Sequence, residues 1–168
     1  MTTWTDVSAG LGRNDMPYAL AMAVFVEQTL TDPADIADGV VNAWCSAEWP
    51  AQCLDESIWW NLFDLATEDP LTYLHDHEVR DRADLPATVT LYRGAVEEHK
   101  YGMSWTDDLA RATWFAHRFD TVGGEVGKVW QVTVDSDMVL ARFESRRGEA
   151  EWVLDPHLLE EHEVVEVV

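Results

Sequence analysis

The spacing of apolar residues changes near residue 86, and this change limits the folds that are open to the chain. Before it, apolar residues recur at the spacing of amphipathic helices. The pattern predicts four helices, and Asp32 and Asp55 are placed to cap the second and third of them. These helices are expected over residues 17–30, 33–44, 56–67 and 70–83.

After that point, apolar and polar residues alternate, as they do in half-buried strands. The alternation predicts several strands. Between them, the sequence predicts a single helix, capped by Thr106, and a short helical turn at Pro156. The helix is expected over residues 104–119, and the strands over residues 87–94, 128–134, 138–143, 150–154 and 162–168. The fold predicted is α+β: one domain with a helical part over residues 1–85 and a β-rich part over residues 86–168. The β-rich part is expected to be mostly antiparallel.

The chain is strongly acidic, with 32 acidic and 11 basic residues in 168 and a net charge of −21. Residues 1–85 hold 16 of the acids and only 3 of the bases. So large an excess of negative charge repels the phosphates of nucleic acids. The charge therefore argues against a nucleic-acid partner, and any cleft that binds an anionic substrate must be locally basic.

Several patterns bear on location and on metal binding. No apolar stretch is as long as a membrane span, and the N-terminal segment lacks the basic-then-apolar pattern of a signal peptide. We therefore expect a cytoplasmic protein, with the size of a phage or bacterial effector, in which Cys45 and Cys53 are reduced, buried thiols. His75 and His77 flank Asp76 without further ligands nearby in the sequence, so they are interpreted as surface histidines and no metal site is predicted.

Arg93 stands out in the first predicted strand because it lies on the same face as Val89 and Leu91. An arginine on a buried face needs an anionic partner. A structural salt bridge would supply one, and so would the phosphate or carboxylate of a ligand, which arginine holds through two parallel hydrogen bonds. Gly94 follows, either to let a ligand approach the backbone or to form a turn.

Two later groups carry possible chemistry. Ser104 and Thr106 stand together, where one ends a strand and the other caps a helix in the simplest interpretation. Glu149 and Glu151 are two residues apart, so in a strand both carboxylates lie on one face. Either the pair is a solvated strand edge, or a ligand uses it.

The order of these groups resembles that of the ADP-ribosyltransferases of the Arg–Ser–Glu class, which include actin-modifying toxins and mammalian ecto-enzymes. LYRG at 91–94 resembles their first motif, SWT at 104–106 their Ser-Thr-Ser motif, and GEAEWVLDP at 148–156 their Glu-x-Glu motif. The resemblance covers about residues 86–168. It implies that these residues form a compact, mostly antiparallel core of two small sheets, and that the helical part over residues 1–85 flanks the cleft. In this chain Thr106 takes the place of the last serine of the second motif, which keeps a hydroxyl group.

The resemblance implies a role for each motif residue. Arg93 would hold the pyrophosphate or nicotinamide ribose of NAD, and the backbone of Gly94 would meet the nicotinamide amide. Ser104 would orient Glu151, which would bind a ribose hydroxyl and stabilise the cationic sugar. Glu149 would position and deprotonate the acceptor.

Further residues are implied less directly. Thr106 would complete the NAD-binding motif, and Phe119 or Trp114 would stack on nicotinamide. The turn that this family uses to recognise its target would contain Arg142, Arg146 and Arg147.

The function predicted is a mono-ADP-ribosyltransferase that cleaves NAD, its substrate, and transfers ADP-ribose to a protein side chain, with arginine as the expected acceptor. An NAD glycohydrolase, or a transferase acting on a nucleobase or small molecule, would use the same fold. A different class also remains open, an acidic binding or inhibitor protein without enzymatic activity. The sequence does not specify the oligomeric state or the acceptor protein.

Overall fold

The computed structural model describes residues 1–120, 122–144 and 150–167. The chain divides into two compact units, Met1–Arg80 and Asp81–Val168. Helices dominate the first unit and strands the second, which confirms the predicted α+β class.

The first unit contains five helices, a π-helical turn at Met22–Val26, and a hairpin that ends at the boundary between the units. The helices are α1 (Trp4–Ser8), α2 (Met16–Ala21), α3 (Pro33–Ser46), α4 (Pro50–Cys53) and α5 (Glu56–Thr67), and the strands are β1 (Thr72–His75) and β2 (Glu78–Asp81). Asp32 accepts a hydrogen bond from the backbone N–H of Ala34, and Asp55 accepts one from that of Ser57. Both predicted N-caps are therefore confirmed.

Aromatic side chains fill the core of this unit. The ring centroids of Trp44 and Trp59 lie 4.9 Å apart, and those of Trp44 and Phe63 lie 5.5 Å apart, both in edge-on arrangements. Such pairs stabilise a core by about 0.5–1.5 kcal/mol beyond the burial of their surface. Helices α3 and α5 thus pack together through large, rigid rings.

Two helix predictions in this unit are wrong. The helix expected over residues 17–30 ends at Val26, because Gln28 adopts a φ of 53°, outside the helical region. The helix expected over residues 70–83 is the β1–β2 hairpin, whose turn contains Asp76 at a φ of 50°. Strand β1 escaped recognition because Tyr73, Leu74 and His75 are all buried, so apolar and polar residues do not alternate.

The described residues of the second unit form six strands and two α-helices. They are β3 (Thr88–Ala95), β4 (Ser104–Thr106), α6 (Leu109–His117), β5 (Lys128–Asp135), β6 (Val139–Phe143), β7 (Glu151–Leu154), α7 (Pro156–Leu159) and β8 (Val165–Glu166). The six strands lie side by side in the order β6-β7-β4-β3-β5-β8, and the neighbours are antiparallel. The expectation of two small sheets is therefore wrong, because the strands of this unit belong to one sheet.

The start of helix α6 also differs from the prediction. Residues 104–106 form strand β4, and the helix begins at Leu109. Asp108 caps it by accepting hydrogen bonds from the backbone N–H groups of Ala110 and Arg111. Thr106 instead accepts a hydrogen bond from the N–H of Asp108 and so shapes the turn before the helix. The short helical turn expected at Pro156 is helix α7.

The remaining predictions on single residues have mixed outcomes. Cys45 and Cys53 form no disulfide, but both are half-buried rather than buried. His77 is exposed, as predicted, and its Nδ1 lies 2.9 Å from Oδ1 of Asp38. His75 was predicted to lie at the surface but is buried, and its Nδ1 lies 3.2 Å from the hydroxyl of Tyr73. Among the described residues, no helix has both the length and the apolar character needed to cross a membrane.

Candidate active site

Ser104 and Glu151 meet on paired strands. In the register of β4 and β7, Thr106 lies opposite Glu151 and Ser104 lies opposite Val153. Ser104 and Glu151 are therefore diagonal neighbours on one face of the sheet, within reach of each other. The hydroxyl of Ser104 donates a hydrogen bond to Oε2 of Glu151, and both residues are half-buried. The sheet thus holds an acid in a defined position without removing it from solvent.

A row of side chains crosses four strands at the level of Glu151. Tyr92 lies opposite Thr106, which lies opposite Glu151, which in turn lies opposite Phe143. Thr106 and Phe143 are buried, whereas Tyr92 is half-buried. In the sheet, Glu151 therefore stands between an aromatic residue on one neighbouring strand and a hydroxyl-bearing residue on the other.

Arg93 reaches this site through the main chain of Ser104. Tyr92 shares one face of the sheet with Thr106 and Glu151. Because side chains alternate along a strand, the side chain of Arg93 starts from the other face. Its Nη1 donates to the carbonyl oxygen of Ser104 at 2.7 Å, and its Nε donates to that of His99 at 2.9 Å. Ser104 is thus bonded to Arg93 through its carbonyl and to Glu151 through its hydroxyl.

The guanidinium group of Arg93 also packs closely against Gly102. A Cβ atom at Gly102 would lie 2.2 Å from Nη2 of Arg93, so only glycine leaves room for the arginine in this position. In this structure Arg93 is therefore a residue that fixes the main chain at Ser104 and in the segment before it.

Gly94 has a packing explanation that the sequence did not reveal. A Cβ atom there would lie 2.1 Å from the carbonyl oxygen of Ala112 and 2.4 Å from the backbone nitrogen of Ala116. Strand β3 can therefore approach helix α6 only because residue 94 has no side chain. A contact between its backbone and nicotinamide stays a prediction.

An aromatic cluster lies at the C-terminal end of helix α6. Trp114 and Phe119 are 58% and 55% exposed. The guanidinium carbon of Arg118 lies 4.6 Å from the ring centroid of Phe119, 4.8 Å from that of Phe115 and 5.9 Å from that of Trp114. Phe119 and Trp114 were predicted from the sequence, whereas Arg118 was not. The spacing of four residues between Trp114 and Arg118, which puts them on one side of a helix, is the signal that could have found it.

Cationic side chains gather around Trp130, which lies opposite Arg93 in strand β5. The Nζ atoms of Lys100 and Lys128 lie 5.2 and 5.6 Å from a ring centroid of Trp130. Lys128 also pairs with Glu166 at 3.2 Å and with Glu97 at 3.7 Å, and the hydrogen bond with Glu166 is the main reason that the pKa of Lys128 is raised. Arg93, Lys100 and Lys128 thus bring three positive groups to this side of the sheet, beside the carboxylates of Glu97 and Glu166.

The remaining predicted site residues lie around the segment between β6 and β7. Arg142 is in β6, where it pairs with Glu144 at 2.6 Å and lies over the ring of Trp152 at 4.6 Å. Its Nε and the Nε1 of Trp152 are buried without a hydrogen-bond partner among the described residues. Glu149, Arg146 and Arg147 lie outside the described residues. The described part of the chain contains no group of three or more His, Cys, Asp or Glu side chains that could hold a metal ion.

No family model matches this chain in comparisons with known proteins, and no curated protein or solved structure matches it either. The resemblance to ADP-ribosyltransferases therefore depends on the order of the three motifs and on the contacts that join Arg93, Ser104 and Glu151.

Proposed function

We propose that this chain is a mono-ADP-ribosyltransferase that takes NAD as substrate and transfers ADP-ribose to a protein side chain, with arginine as the expected acceptor. The observation that carries the proposal is the hydrogen bond from Ser104 to Glu151 across two paired strands. Residues 104 and 151 are far apart in the sequence, and the resemblance pairs them in the same roles. A solvated strand edge would not require this contact.

In the proposed reaction, the bond between nicotinamide and C1′ of the ribose breaks, and its electron pair leaves with nicotinamide. A positive charge then develops on the ribose, so a carboxylate that is already in position stabilises the transition state more than the ground state. Glu151 supplies that carboxylate. Ser104 restricts its orientation, so the enzyme need not reorganise it during the reaction.

The second half of the reaction needs a nucleophile. A nitrogen of the acceptor guanidinium forms the new bond to C1′ and loses a proton, which passes to a carboxylate nearby. Because guanidinium groups are protonated at neutral pH, a base beside the acceptor is required. Glu149, two residues from Glu151, takes this role in the proposed enzyme.

Arg93 contributes to the proposed enzyme in two ways. Its bonds to the carbonyl oxygens of Ser104 and His99 hold the main chain that presents the Ser104 hydroxyl. In the proposed complex it also faces the pyrophosphate or ribose of NAD, as the resemblance implies.

Incubation of the full chain with NAD labelled in its adenosine part, together with a cell lysate, tests this proposal. Label that stays on protein after denaturing electrophoresis, with release of nicotinamide, is the expected result. Free ADP-ribose without labelled protein would assign an NAD glycohydrolase instead. If NAD is not consumed in the lysate or with a free guanidino compound such as agmatine, the enzymatic proposal fails and an acidic binding protein takes its place.

A further inference from the structure

The helical segment at residues 17–26 is apolar on two sides. Its sequence, PYALAMAVFV, contains no charged residue. Pro17, Leu20 and Ala23 are buried against the rest of the first unit. Tyr18 and Val26 are nevertheless 64% and 66% exposed, and Phe25 is 40% exposed. A helix that is apolar all round is normally buried on every side.

The exposed Tyr18, Phe25 and Val26 form one stripe with the half-buried Met22, and we call these four residues the outer stripe. They recur at helical spacing, so they lie on the same side of the segment. The stripe ends in the π-helical turn, where the N–H of Glu27 donates to the carbonyl oxygen of Met22 at 2.9 Å. Turns of this kind are rare and occur frequently at functional sites.

The unit that bears the stripe is strongly negative. Residues 1–80 contain 14 acidic and 2 basic residues. Arg13 is paired with Glu48 at 3.0 Å, and Arg80 with Glu78 at 2.8 Å, so both positive charges are already neutralised by nearby acids. Asp15 and Glu27 lie exposed at the two ends of the stripe. A partner that covers the stripe therefore meets an apolar surface with a negative rim.

We propose that the outer stripe is a docking surface for a basic amphipathic helix of another protein, whose apolar face covers Tyr18, Phe25 and Val26 and whose lysines and arginines meet the acidic rim. Apolar contact supplies affinity, and charge complementarity selects the partner and speeds association. A second copy of this chain is a poor occupant, because two acidic units repel each other. An anionic membrane is repelled for the same reason.

A synthetic peptide of about 18 residues, long enough to form a helix on binding, is the probe, with leucines on one helical face and lysines on the other. Its affinity for the full chain is measured by calorimetry. The double variant Tyr18→Ser/Val26→Ser is expected to bind at least about tenfold more weakly, because exposed apolar anchors dominate such contacts. Leu71→Ser is the matched control, since Leu71 is 69% exposed in the same unit but lies outside the stripe; it should bind like the wild type.

Charge is tested separately with two further peptides. A peptide with glutamates in place of the lysines should not bind, and a scrambled peptide of the same composition should bind more weakly than the amphipathic one. High salt should weaken the wild-type complex, because the rim charges are exposed. If the double variant and Leu71→Ser bind the amphipathic peptide equally well, the attraction is only general electrostatics and the proposal is overturned.

Two measurements look for other occupants. If the wild type forms a dimer in sedimentation and the double variant does not, the stripe is a self-interface. If the wild type binds neutral phosphatidylcholine vesicles and the double variant does not, the stripe is a lipid-binding surface. Either result overturns the proposal. Should the double variant fail to fold, hydrogen exchange on the wild-type chain decides: the peptide must protect amides within residues 18–29, and protection confined elsewhere rejects the docking surface. None of these outcomes depends on NAD turnover.

Discussion

The hydroxyl of Ser104 donates a hydrogen bond to the carboxylate of Glu151 from the adjacent strand. Because both residues are anchored in the same sheet, the position of the carboxylate is set by the register of β4 and β7. A group that is fixed before charge develops needs no reorganisation when the reaction occurs. Removal of the carboxylate and removal of its hydrogen-bond donor should therefore lower the rate of NAD cleavage to different extents.

Glu151→Gln should reduce both NAD cleavage and protein modification by roughly 100- to 1000-fold, because an amide keeps the size of the side chain but cannot stabilise a cation. Glu149→Gln should abolish transfer to protein while leaving much of the NAD cleavage. The reason is that hydrolysis uses water as the acceptor, so no guanidinium group has to lose a proton. Nicotinamide release and label on protein are measured side by side for each variant. Glu160→Gln, at an exposed acid after α7, is the control and should behave as wild type. Equal loss of both activities in the two test variants would refute the division of roles.

Ser104→Ala should lower the rate of NAD cleavage by roughly 10- to 100-fold, the range expected when a hydrogen bond to a charged group is lost. The reason is orientation, because Glu151 remains present but loses its donor. Ser104→Thr keeps the hydroxyl and should recover most of the rate, whereas a purely structural role would give no such recovery. Steady-state kinetics of both variants provide the measurement. If alanine and threonine variants are equally slow despite normal folding, Ser104 does not act through its hydroxyl.

The sequence predicted those elements in which one signal dominates. Asp32 and Asp55 precede apolar helical runs, and each caps its helix as expected. Residues 87–94 alternate cleanly, and strand β3 occupies almost the same range. Local chemistry decides such features, so no knowledge of distant residues is needed.

Features that depend on distant contacts were not predictable in the same way. Three of the four residues of strand β1 are buried, so apolar and polar residues do not alternate along it as they do in a half-buried strand. Gly94 looked like a ligand-binding or turn residue, but its packing against Ala112 and Ala116 depends on where α6 lies. The two hydrogen bonds from Arg93 to backbone carbonyls were also not predictable, because a sequence does not show which carbonyl groups lie near a side chain.

Gly94→Ala should destabilise the protein by about 1–3 kcal/mol or more, because the new methyl group meets backbone atoms of α6 that cannot move independently. Chemical denaturation measures the change in the free energy of unfolding. Gly12→Ala is the control, since its Cβ would meet only the end of the Asp15 side chain, at 3.0 Å. A Gly94 variant as stable as this control would contradict the close approach of β3 to α6.

The stability of the first unit should depend on the charge of Asp55 at acid pH. Hydrogen bonds from the side chain and the backbone of Ser57 lower the pKa of Asp55 in the folded protein. The stabilisation is therefore complete above the unfolded pKa and is lost as the pH falls through the lower, folded pKa. Asp55→Asn, which can still cap, should show a weaker loss of stability below about pH 4, whereas Asp55→Ala should be less stable at every pH. Thermal unfolding followed by circular dichroism across this range checks both curves, and identical acid dependence in wild type and Asp55→Asn would contradict the linkage.

Arg93→Lys separates the two roles given to this arginine. A single ammonium group cannot reproduce both the Nε bond to His99 and the Nη1 bond to Ser104, so one carbonyl loses its partner at a cost of about 1–3 kcal/mol in stability. If Arg93 also binds NAD, the planar fork that grips a phosphate is lost as well, and NAD affinity should fall strongly. Gly102→Ala offers an independent test, because its Cβ would displace the guanidinium group while leaving residue 93 an arginine. Calorimetric titration with NAD and chemical denaturation are performed on both variants. Weaker NAD binding in both assigns Arg93 to the substrate site. Unchanged NAD affinity in two folded but less stable variants assigns it only to the support of Ser104.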